Sequence, residues 1–180
     1  GIFPALSKNC RESVYKLLEI AKENNVRITF DPNLRLPLWK DKEEMKQVIN
    51  DIAFKSDIVL PGISEGLILT GSDKPEEIAD FYLNKGVKTV VVKLGSEGAY
   101  VKSKDGSFTV KGFKVEKVVD TVGAGDGFAV GLISGLLEGL GIKYAVQRGN
   151  AIGALAVMFA GDNDGYPDKA HLDDFINSRK

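Results

Sequence analysis

The segment TVVVKLG, residues 89–95, constrains the fold more than any other part of the sequence. Its alternate positions are all apolar, so a β-strand formed here buries both of its faces. Strands of this kind lie inside parallel sheets whose two faces are covered by helices. The segment therefore predicts an α/β fold.

The rest of the chain supports this prediction, because helix and strand patterns alternate at the spacing of βαβ units. Periodicity and capping residues predict helices over residues 9–24, 41–54, 73–86, 124–138, 144–160 and 168–178, with Asp41 and Asp73 as caps. Strand patterns cover residues 26–30, 57–61, 89–95 and 115–119, and hairpin segments lie between residues 98 and 120. No linker or repeat interrupts them, so the sequence predicts one domain over residues 1–180.

Composition excludes several classes of function. The formal net charge is −1, and no predicted helix carries a basic stripe, so neither a nucleic acid nor a membrane surface is an expected partner. No uncharged apolar run reaches the roughly 20 residues that a bilayer span needs. Cys10 is the one cysteine, which excludes an internal disulfide framework and fits a reducing compartment. We expect a cytoplasmic chain.

The sequence DTVGAGDGFAVGL, residues 120–132, is the strongest candidate for a functional site. Its first glycines lie between a predicted strand and a predicted helix, where α/β proteins bind ligands. Backbone N–H groups at a helix start attract anions, and glycine removes the Cβ that would keep a phosphate away. A carboxylate such as Asp126 is unfavourable in a loop that only binds anions, because it repels them. It is favourable if it acts as the base that takes the proton of a hydroxyl attacking a phosphoryl group.

A structural interpretation of the same residues stays open. Glycines recur at every fourth position of the predicted helix, at Gly127, Gly131, Gly135 and Gly139. Such a stripe lets two helices pack closely, and Asp126 would then be a first-turn carboxylate that complements the helix dipole. The common phosphate-binding patterns do not fit, because the sequence contains no G-x-x-x-x-G-K-[ST] and Phe128 replaces the third glycine of G-x-G-x-x-G.

The segment DTVGAGDGF resembles a signature of the ribokinase-like carbohydrate kinases, also called the phosphofructokinase-B family, whose pattern is D-T-x-G-A-G-D. The resemblance implies a ribokinase-like three-layer sandwich with a mostly parallel sheet, and phosphoryl transfer from ATP. In that family the Gly-Ala-Gly-Asp turn forms an anion hole, and its aspartate is the catalytic base. These roles correspond to Gly123, Ala124, Gly125 and Asp126, which the resemblance also implies as nucleotide contacts.

Two further segments, VVVKLGSEGAYV and RGNAIGALAV, resemble the strand and turn that lie along the nucleotide and the helix against which adenine packs. Besides the glycine turn, the nucleotide contacts implied by the resemblance are Ser64, Leu94, Gly95, Ser96, Glu97, Gly98, Ala99, Tyr100 and Asn150. The implied cofactors are ATP and Mg²⁺, with a monovalent cation as a further candidate.

The segments FDPNLRLPLW, VLPGISEGLILTG and GDNDGYP are most similar to the 2-keto-3-deoxygluconate kinases within the family. This similarity implies that Arg35 binds the carboxylate of a sugar acid and that Asp162, like Gly123 and Asp126, lies near the substrate. A guanidinium on a loop after a strand suits bidentate carboxylate binding, although a solvated arginine is the structural alternative. The resemblance also implies a water-mediated Mg²⁺ role for Glu65, but Gly62 replaces the asparagine of the N-x-x-E pattern that many members carry.

The family's first signature and its small β-sheet lid have no counterpart in the sequence. The resemblance therefore implies the C-terminal nucleotide-binding and catalytic portion of a kinase, inactive alone, whose full-length form is a homo-oligomer. Its partners would be ATP and a small sugar or sugar acid. Two alternatives are a kinase of a neutral sugar such as ribose or fructose, and a fragment that binds nucleotide without catalysis.

A different enzyme class is suggested by GISEG, residues 62–66, which fits the G-x-S-x-G pattern of an α/β-hydrolase. Ser64 would be the nucleophile and His171 the base. Three features count against this class. The segment after this pattern, LILTG, is expected to stop at Gly71 after barely a turn, His171 lies in the first turn of a polar terminal helix, and no HGGG-type oxyanion loop is present.

Overall fold

The computed structural model describes residues 1–179 and alternates helices with short strands. The helices are α1 (Phe3–Leu6), α2 (Lys8–Glu23), α3 (Lys42–Phe54), α4 (Ile63–Thr70), α5 (Pro75–Leu83), α6 (Ala124–Leu137), α7 (Ile142–Ala156) and α8 (Lys169–Asn177). The strands are β1 (Thr29–Phe30), β2 (Ile58–Val59), β3 (Thr89–Lys93), β4 (Gly98–Ser103) and β5 (Gly106–Lys111). Within this described part of the chain, no helix combines the length and the apolar character that a membrane span requires.

The strands form one sheet in the order β1-β2-β3-β4-β5, and the predicted α/β class is confirmed. β1 pairs with β2, and β2 with β3, in parallel, with Ile58 opposite both Thr29 and Thr89. The central residues of β3, Val90–Val92, are fully buried, as the apolar segment predicts. β1 and β2 have two residues each and are shorter than the predicted strands over residues 26–30 and 57–61.

Residues 1–179 form two compact units. Residues 1–93 with 100–108 make the first unit, and residues 94–99 with 109–179 make the second. A buried cluster of the first unit contains Leu18, Trp39, Met45, Val48, Ile49, Ile52 and Leu69. A buried cluster of the second contains Ala151, Ile152, Leu155, Leu172 and Phe175. The single domain over residues 1–180 stays a prediction.

Two of the predicted helix caps can be compared with the structure. The Asp41 carboxylate accepts backbone N–H groups two and three residues further on, at 2.7 and 3.3 Å, so the predicted cap of α3 is confirmed. The prediction that Asp73 caps α5 is wrong. Pro75 is the first residue of this helix, which places Lys74 at the N-cap without a side-chain hydrogen bond. Proline is favoured at that position because its missing N–H is not needed there.

The strand predicted over residues 115–119 is also wrong, because this segment is irregular. The backbone N–H groups of Val119 and Asp120 donate to the Val157 carbonyl, at 2.7 and 3.3 Å. Val157 lies directly after α7, which ends at Ala156 instead of the predicted residue 160. The segment that leads into the glycine turn is therefore held by a helix end instead of a strand ladder.

Helices α6 and α7 pack with their backbones in direct contact. A Cβ on Gly131 would lie 2.7 Å from the Cα and N atoms of Gly149, and a Cβ on Gly135 would lie 2.9 Å from the Cα of Ala145. The glycine stripe therefore does serve helix packing at these two positions. Gly139 differs, because it follows the helix with a φ of 81° and a Cβ there would meet no atom within 4 Å.

We predict that Gly131→Ala lowers the free energy of unfolding by about 1–3 kcal/mol. The added methyl group meets backbone atoms that cannot rotate away, so the helices must separate, and this cost exceeds the gain of about 1 kcal/mol in helix propensity. Urea unfolding would measure the difference. The control is Val130→Ala on the exposed side of the same helix, which should change stability by less than about 0.5 kcal/mol. An unchanged or raised stability of Gly131→Ala would contradict the backbone contact.

Candidate active site

The turn before α6 adopts a conformation that only glycine accommodates well. Gly123 is the N-cap of α6, with a φ of 79° and a ψ of −17°, in the left-handed region. A Cβ at this position would lie 1.8 Å from the carbonyl oxygen of Asp162. Conformation and space thus both demand glycine here.

The N-cap of α6, Gly123, makes no side-chain cap hydrogen bond. Gly125 and Asp126 are exposed, and the Ala124 N–H makes a long contact of 3.4 Å with the Thr121 carbonyl. Without a cap, the first N–H groups of a helix and the positive end of its dipole can bind an anion. The structure places the Asp126 carboxylate in the same turn, and the anion hole at Gly123–Asp126 stays a prediction.

Tyr166 lies against this turn. Its hydroxyl donates to the Gly123 carbonyl at 2.7 Å, and its ring would be 3.0 Å from a Cβ on Gly127. Burial raises the pKa of the Tyr166 hydroxyl, and the charges of Asp126 and Asp162 raise it further. These two carboxylates therefore lie near Tyr166. Sequence analysis missed Tyr166, although the GDNDGYP segment that contains it drew attention to Asp162.

The predicted nucleotide loop over residues 94–100 consists of an exposed 3₁₀ turn, Gly95–Glu97, followed by buried residues. A Cβ on Gly98 would lie 2.1 Å from the Val110 carbonyl oxygen, and the Gly112 N–H donates to the Glu97 carbonyl at 3.1 Å. Ala99 and Tyr100 are buried. Among the residues predicted to contact the nucleotide, those of the exposed turn at 95–97 are accessible to a ligand, and those at 98–100 are buried in the protein interior.

Asn150 has a structural role that sequence analysis did not anticipate. The side chain is buried in α7, and its Nδ2 donates to the carbonyls of Val110 and Lys111, each at 3.1 Å. Both amide hydrogens are thereby used to tie α7 to the end of β5. The predicted nucleotide contact of Asn150 stays a prediction.

In the first unit, charged side chains gather at the carboxyl ends of the parallel strands. Lys93, the last residue of β3, donates to both carboxylate oxygens of Asp31, at 2.7 and 2.9 Å. Asp31 follows β1 directly, and both side chains of this ion pair are largely buried. Burial raises the pKa of Asp31, the neighbouring Glu65 charge raises it too, and Lys93 opposes them. Sequence analysis missed Asp31, although an aspartate directly after a predicted strand is the signal that identifies it.

Glu65 accepts backbone hydrogen bonds from two segments near this ion pair, the loop after β1 and the start of α4. One carboxylate oxygen accepts the Leu34 N–H and the other accepts the Gly62 N–H, both at 2.8 Å. The glutamate therefore caps the start of α4 and holds the loop after β1. Residues 1–179 contain no group of three or more acidic, histidine or cysteine side chains that could hold a metal ion. The metal role of Glu65 stays a prediction.

Arg35 lies on the loop that Glu65 and Asp31 fix. The Asn33 N–H donates to Asp31 at 3.3 Å, and the exposed Arg35 side chain donates to the Asn33 side-chain oxygen. Asn33 has a φ of 39°, so the chain turns sharply before the arginine. The guanidinium is thus presented to solvent on an anchored loop, and its contact with a substrate carboxylate stays a prediction. In the second unit, Asp162 is also exposed, and its backbone carbonyl packs on Gly123.

The hydrolase alternative finds little support in the geometry. Ser64 is the second residue of α4, which ends at Thr70 with Gly71 as its C-cap, so the expected stop at Gly71 is confirmed. Outside glycine, the residues with positive φ in the described chain are Asn25 and Asn33, so Ser64 lacks the strained turn of a nucleophile elbow. His171 is exposed in the first turn of α8.

Comparison with known proteins adds to this geometry. The family model described as pfkB family carbohydrate kinase matches residues 1–169. The chain is 50% identical over 180 residues to a 2-dehydro-3-deoxygluconokinase of Bacillus subtilis (strain 168), covering 100% of the chain and 56% of that protein. It therefore spans about half the length of this curated relative.

Solved structures of the same fold give a consistent result. The PfkB protein of Polaromonas sp. JS666 is 46% identical, with a TM-score of 0.85 over 96% of this chain and 54% of the other. A protein described as a ribokinase II of E. coli, solved in complex with ATP and Mg²⁺, is 34% identical, with a TM-score of 0.86 over 97% of this chain and 56% of the other. The predicted ribokinase-like fold is confirmed.

The Asp31–Lys93 pair generates a stability prediction. We expect Lys93→Met to lower the free energy of unfolding at pH 7 by about 2–4 kcal/mol, because the variant leaves a buried carboxylate without its cation. The matched control is Lys88→Met. Lys88 pairs with Asp57 at 2.7 Å but is 77% exposed, so its loss should cost about 1 kcal/mol or less.

The loss of unfolding free energy in Lys93→Met should also depend on pH. Because the folded-state pKa of Asp31 is raised above its ordinary value of 3.8, its contribution to stability is complete below that pH and is lost as the pH rises through the folded-state pKa. Removing Lys93 raises this pKa further, so the deficit of Lys93→Met should be smaller at pH 4 than at pH 7. Urea unfolding at both pH values measures it. Equal deficits for the two lysine variants would refute the buried pair.

Proposed function

The chain belongs to the pfkB family of carbohydrate kinases, and on this basis we propose that it is the nucleotide-binding and catalytic portion of an ATP-dependent sugar kinase. The reaction would transfer the γ-phosphoryl group of ATP to a primary hydroxyl of a sugar acid, with 2-keto-3-deoxygluconate as the favoured acceptor. The observation that carries the proposal is the uncapped start of α6, where a glycine turn and the Asp126 carboxylate stand together.

The backbone N–H groups of Gly123–Asp126 would bind the phosphoryl group in transfer. They lie at the positive end of the α6 dipole, in a turn held by the contacts of Gly123 with Asp162 and Tyr166. Donors that are already oriented stabilise developing negative charge without the cost of reorganisation. Removal of one such donor typically lowers turnover by about 10²–10³-fold.

Asp126 would act as the base. Its exposed carboxylate accepts the proton of the sugar hydroxyl as the hydroxyl oxygen bonds to the γ-phosphorus. The bond between that phosphorus and the oxygen bridging to the β-phosphate breaks, and ADP leaves. The 50% identity to a 2-dehydro-3-deoxygluconokinase supports a sugar acid as the acceptor, and Arg35 would bind its carboxylate through two parallel N–H groups.

Mg²⁺, when bound with the nucleotide, neutralises charge on the phosphate oxygens. Mg²⁺ usually keeps several waters and binds one or two protein carboxylates besides the phosphates. Among the described residues, Glu65 is the carboxylate that we propose for this role. Each oxygen of Glu65 accepts one backbone N–H and retains a lone pair for a metal-bound water. Glu65 would therefore hold the ion through water. The monovalent cation, the homo-oligomer and the cytoplasmic location stay predictions.

We predict that Asp126→Asn in the full-length polypeptide lowers kcat by about 10²–10⁴-fold while the affinity for ATP changes little. The amide preserves the size of the side chain but cannot take the proton. Steady-state kinetics and nucleotide titration would measure the two effects. Asp173→Asn on the exposed face of α8 is the control and should leave both unchanged. If kcat and ATP affinity fell together, Asp126 would be structural.

A second substitution tests the acceptor. Arg35→Ala should raise the KM for acidic sugars by about 10–100-fold, the range expected for a charged hydrogen bond, and change the KM for neutral sugars by less than about 3-fold. Initial rates with paired acidic and neutral sugars would measure the difference. Arg27→Ala, another exposed arginine of the first unit, is the control. The same KM change for both kinds of sugar would exclude the sugar-acid assignment.

A further inference from the structure

We propose that Tyr166 is a positioning residue that fixes the direction of the N–H groups in the glycine turn. This inference rests on the proposed function of that turn in phosphoryl transfer. It concerns a residue that lies 43 positions after Gly123 in the sequence and that contacts the Gly123 carbonyl.

Tyr166 spans the whole first turn of α6. Its hydroxyl donates to the Gly123 carbonyl at 2.7 Å, and its ring packs where a Cβ on Gly127 would be, 3.0 Å away. The same carbonyl accepts the Gly127 N–H at 2.8 Å, which is the first hydrogen bond of the helix. The Gly123 carbonyl therefore accepts two hydrogen bonds. One comes from the Tyr166 hydroxyl, and the other comes from the N–H of Gly127, the residue against which the Tyr166 ring packs.

The geometry of the peptide bond transmits this restraint. In a planar trans peptide the carbonyl and the next N–H point in opposite directions, so fixing the Gly123 oxygen also fixes the Ala124 N–H. A glycine with a φ of 79° lacks the steric restraint that a Cβ supplies and has the greatest backbone freedom to lose. The tyrosine hydroxyl supplies from outside the restraint that the glycine lacks. Fixed donors are the ones that stabilise a transition state most effectively.

The segment that carries Tyr166 is itself anchored. The Asp162 carbonyl packs on the Cα of Gly123, and a Cβ on Gly165 would lie 2.8 Å from the Leu155 carbonyl oxygen of α7. The Tyr166 N–H donates to the Asn163 carbonyl at 3.0 Å. Residues 161–166 thus form a brace between α7 and the glycine turn, with the tyrosine hydroxyl at its contact point.

The electrostatics keep the hydroxyl protonated. Burial raises the pKa of Tyr166, and the negative charges of Asp126 and Asp162 raise it further. The hydroxyl is therefore a permanent donor across the pH range in which a kinase works. A donor is what the Gly123 carbonyl requires.

The test is Tyr166→Phe in the full-length polypeptide, which removes the hydroxyl and keeps the ring. We expect kcat to fall on the order of 10-fold while the KM for ATP changes by less than about 2-fold and the melting temperature by little. Replacement of Tyr166 by p-aminophenylalanine restores an N–H donor and should recover most of the lost kcat. Tyr144→Phe, at an exposed tyrosine of α7, is the control and should have no effect.

A second measurement does not depend on turnover. Hydrogen exchange of the Gly127 amide, which donates to the same Gly123 carbonyl at 2.8 Å, should speed up in Tyr166→Phe and stay unchanged in Tyr144→Phe. If Tyr166→Phe kept both the wild-type kcat and the wild-type exchange rates, the positioning role would be wrong while the kinase proposal stood. If the wild-type polypeptide phosphorylated no sugar, the proposed function would fail, and the exchange rates would still decide whether Tyr166 fixes the turn. A general loss of stability that the amino variant did not reverse would make Tyr166 merely structural.

Discussion

The backbone contact between Gly123 and Asp162 determines where the candidate site can form. It leaves no room for a Cβ, and the positive φ of Gly123 directs the chain into α6 without a capping side chain. The N-cap residue itself therefore provides no side-chain acceptor for the N–H groups at the helix start. A serine or aspartate at this N-cap would stabilise the helix by about 1 kcal/mol and would occupy the same N–H groups. The start of α6 lacks this stabilisation by a side chain, and a bound anion could supply it instead.

The parts of the fold that the sequence predicts well are those governed by local chemistry. The buried strand β3 follows from consecutive apolar residues, and the Asp41 cap follows from its spacing to the helix. Predictions failed where a distant partner decides the structure. Residues 115–119 have the pattern of a strand, yet their hydrogen bonds go to the end of α7, a partner that no local pattern identifies. The Asp73 cap failed for a local reason, because Pro75 fixes the helix start one residue later than expected.

The same distinction applies to the candidate site. The glycine turn and Asp126 are evident in one short segment, and the fold and the family that they indicate are confirmed. The Asp31–Lys93 pair joins side chains 62 positions apart, and Tyr166 reaches Gly123 across 43 positions. The position of Asp31 after a strand is visible in the sequence, but the partner in each contact is not, because it depends on the parallel order of strands or the packing of helices.

The link between Tyr166 and Gly123 has a consequence for biosynthesis. The glycine turn leaves the ribosome well before its brace does, since 43 residues separate the two partners of this hydrogen bond. Domains acquire their contacts as the nascent chain emerges, and a contact cannot form before its second partner is translated. An emerging chain that already contains α6 and α7 thus still carries a glycine turn without its tyrosine contact, and a chain that ends before residue 166 never forms that contact.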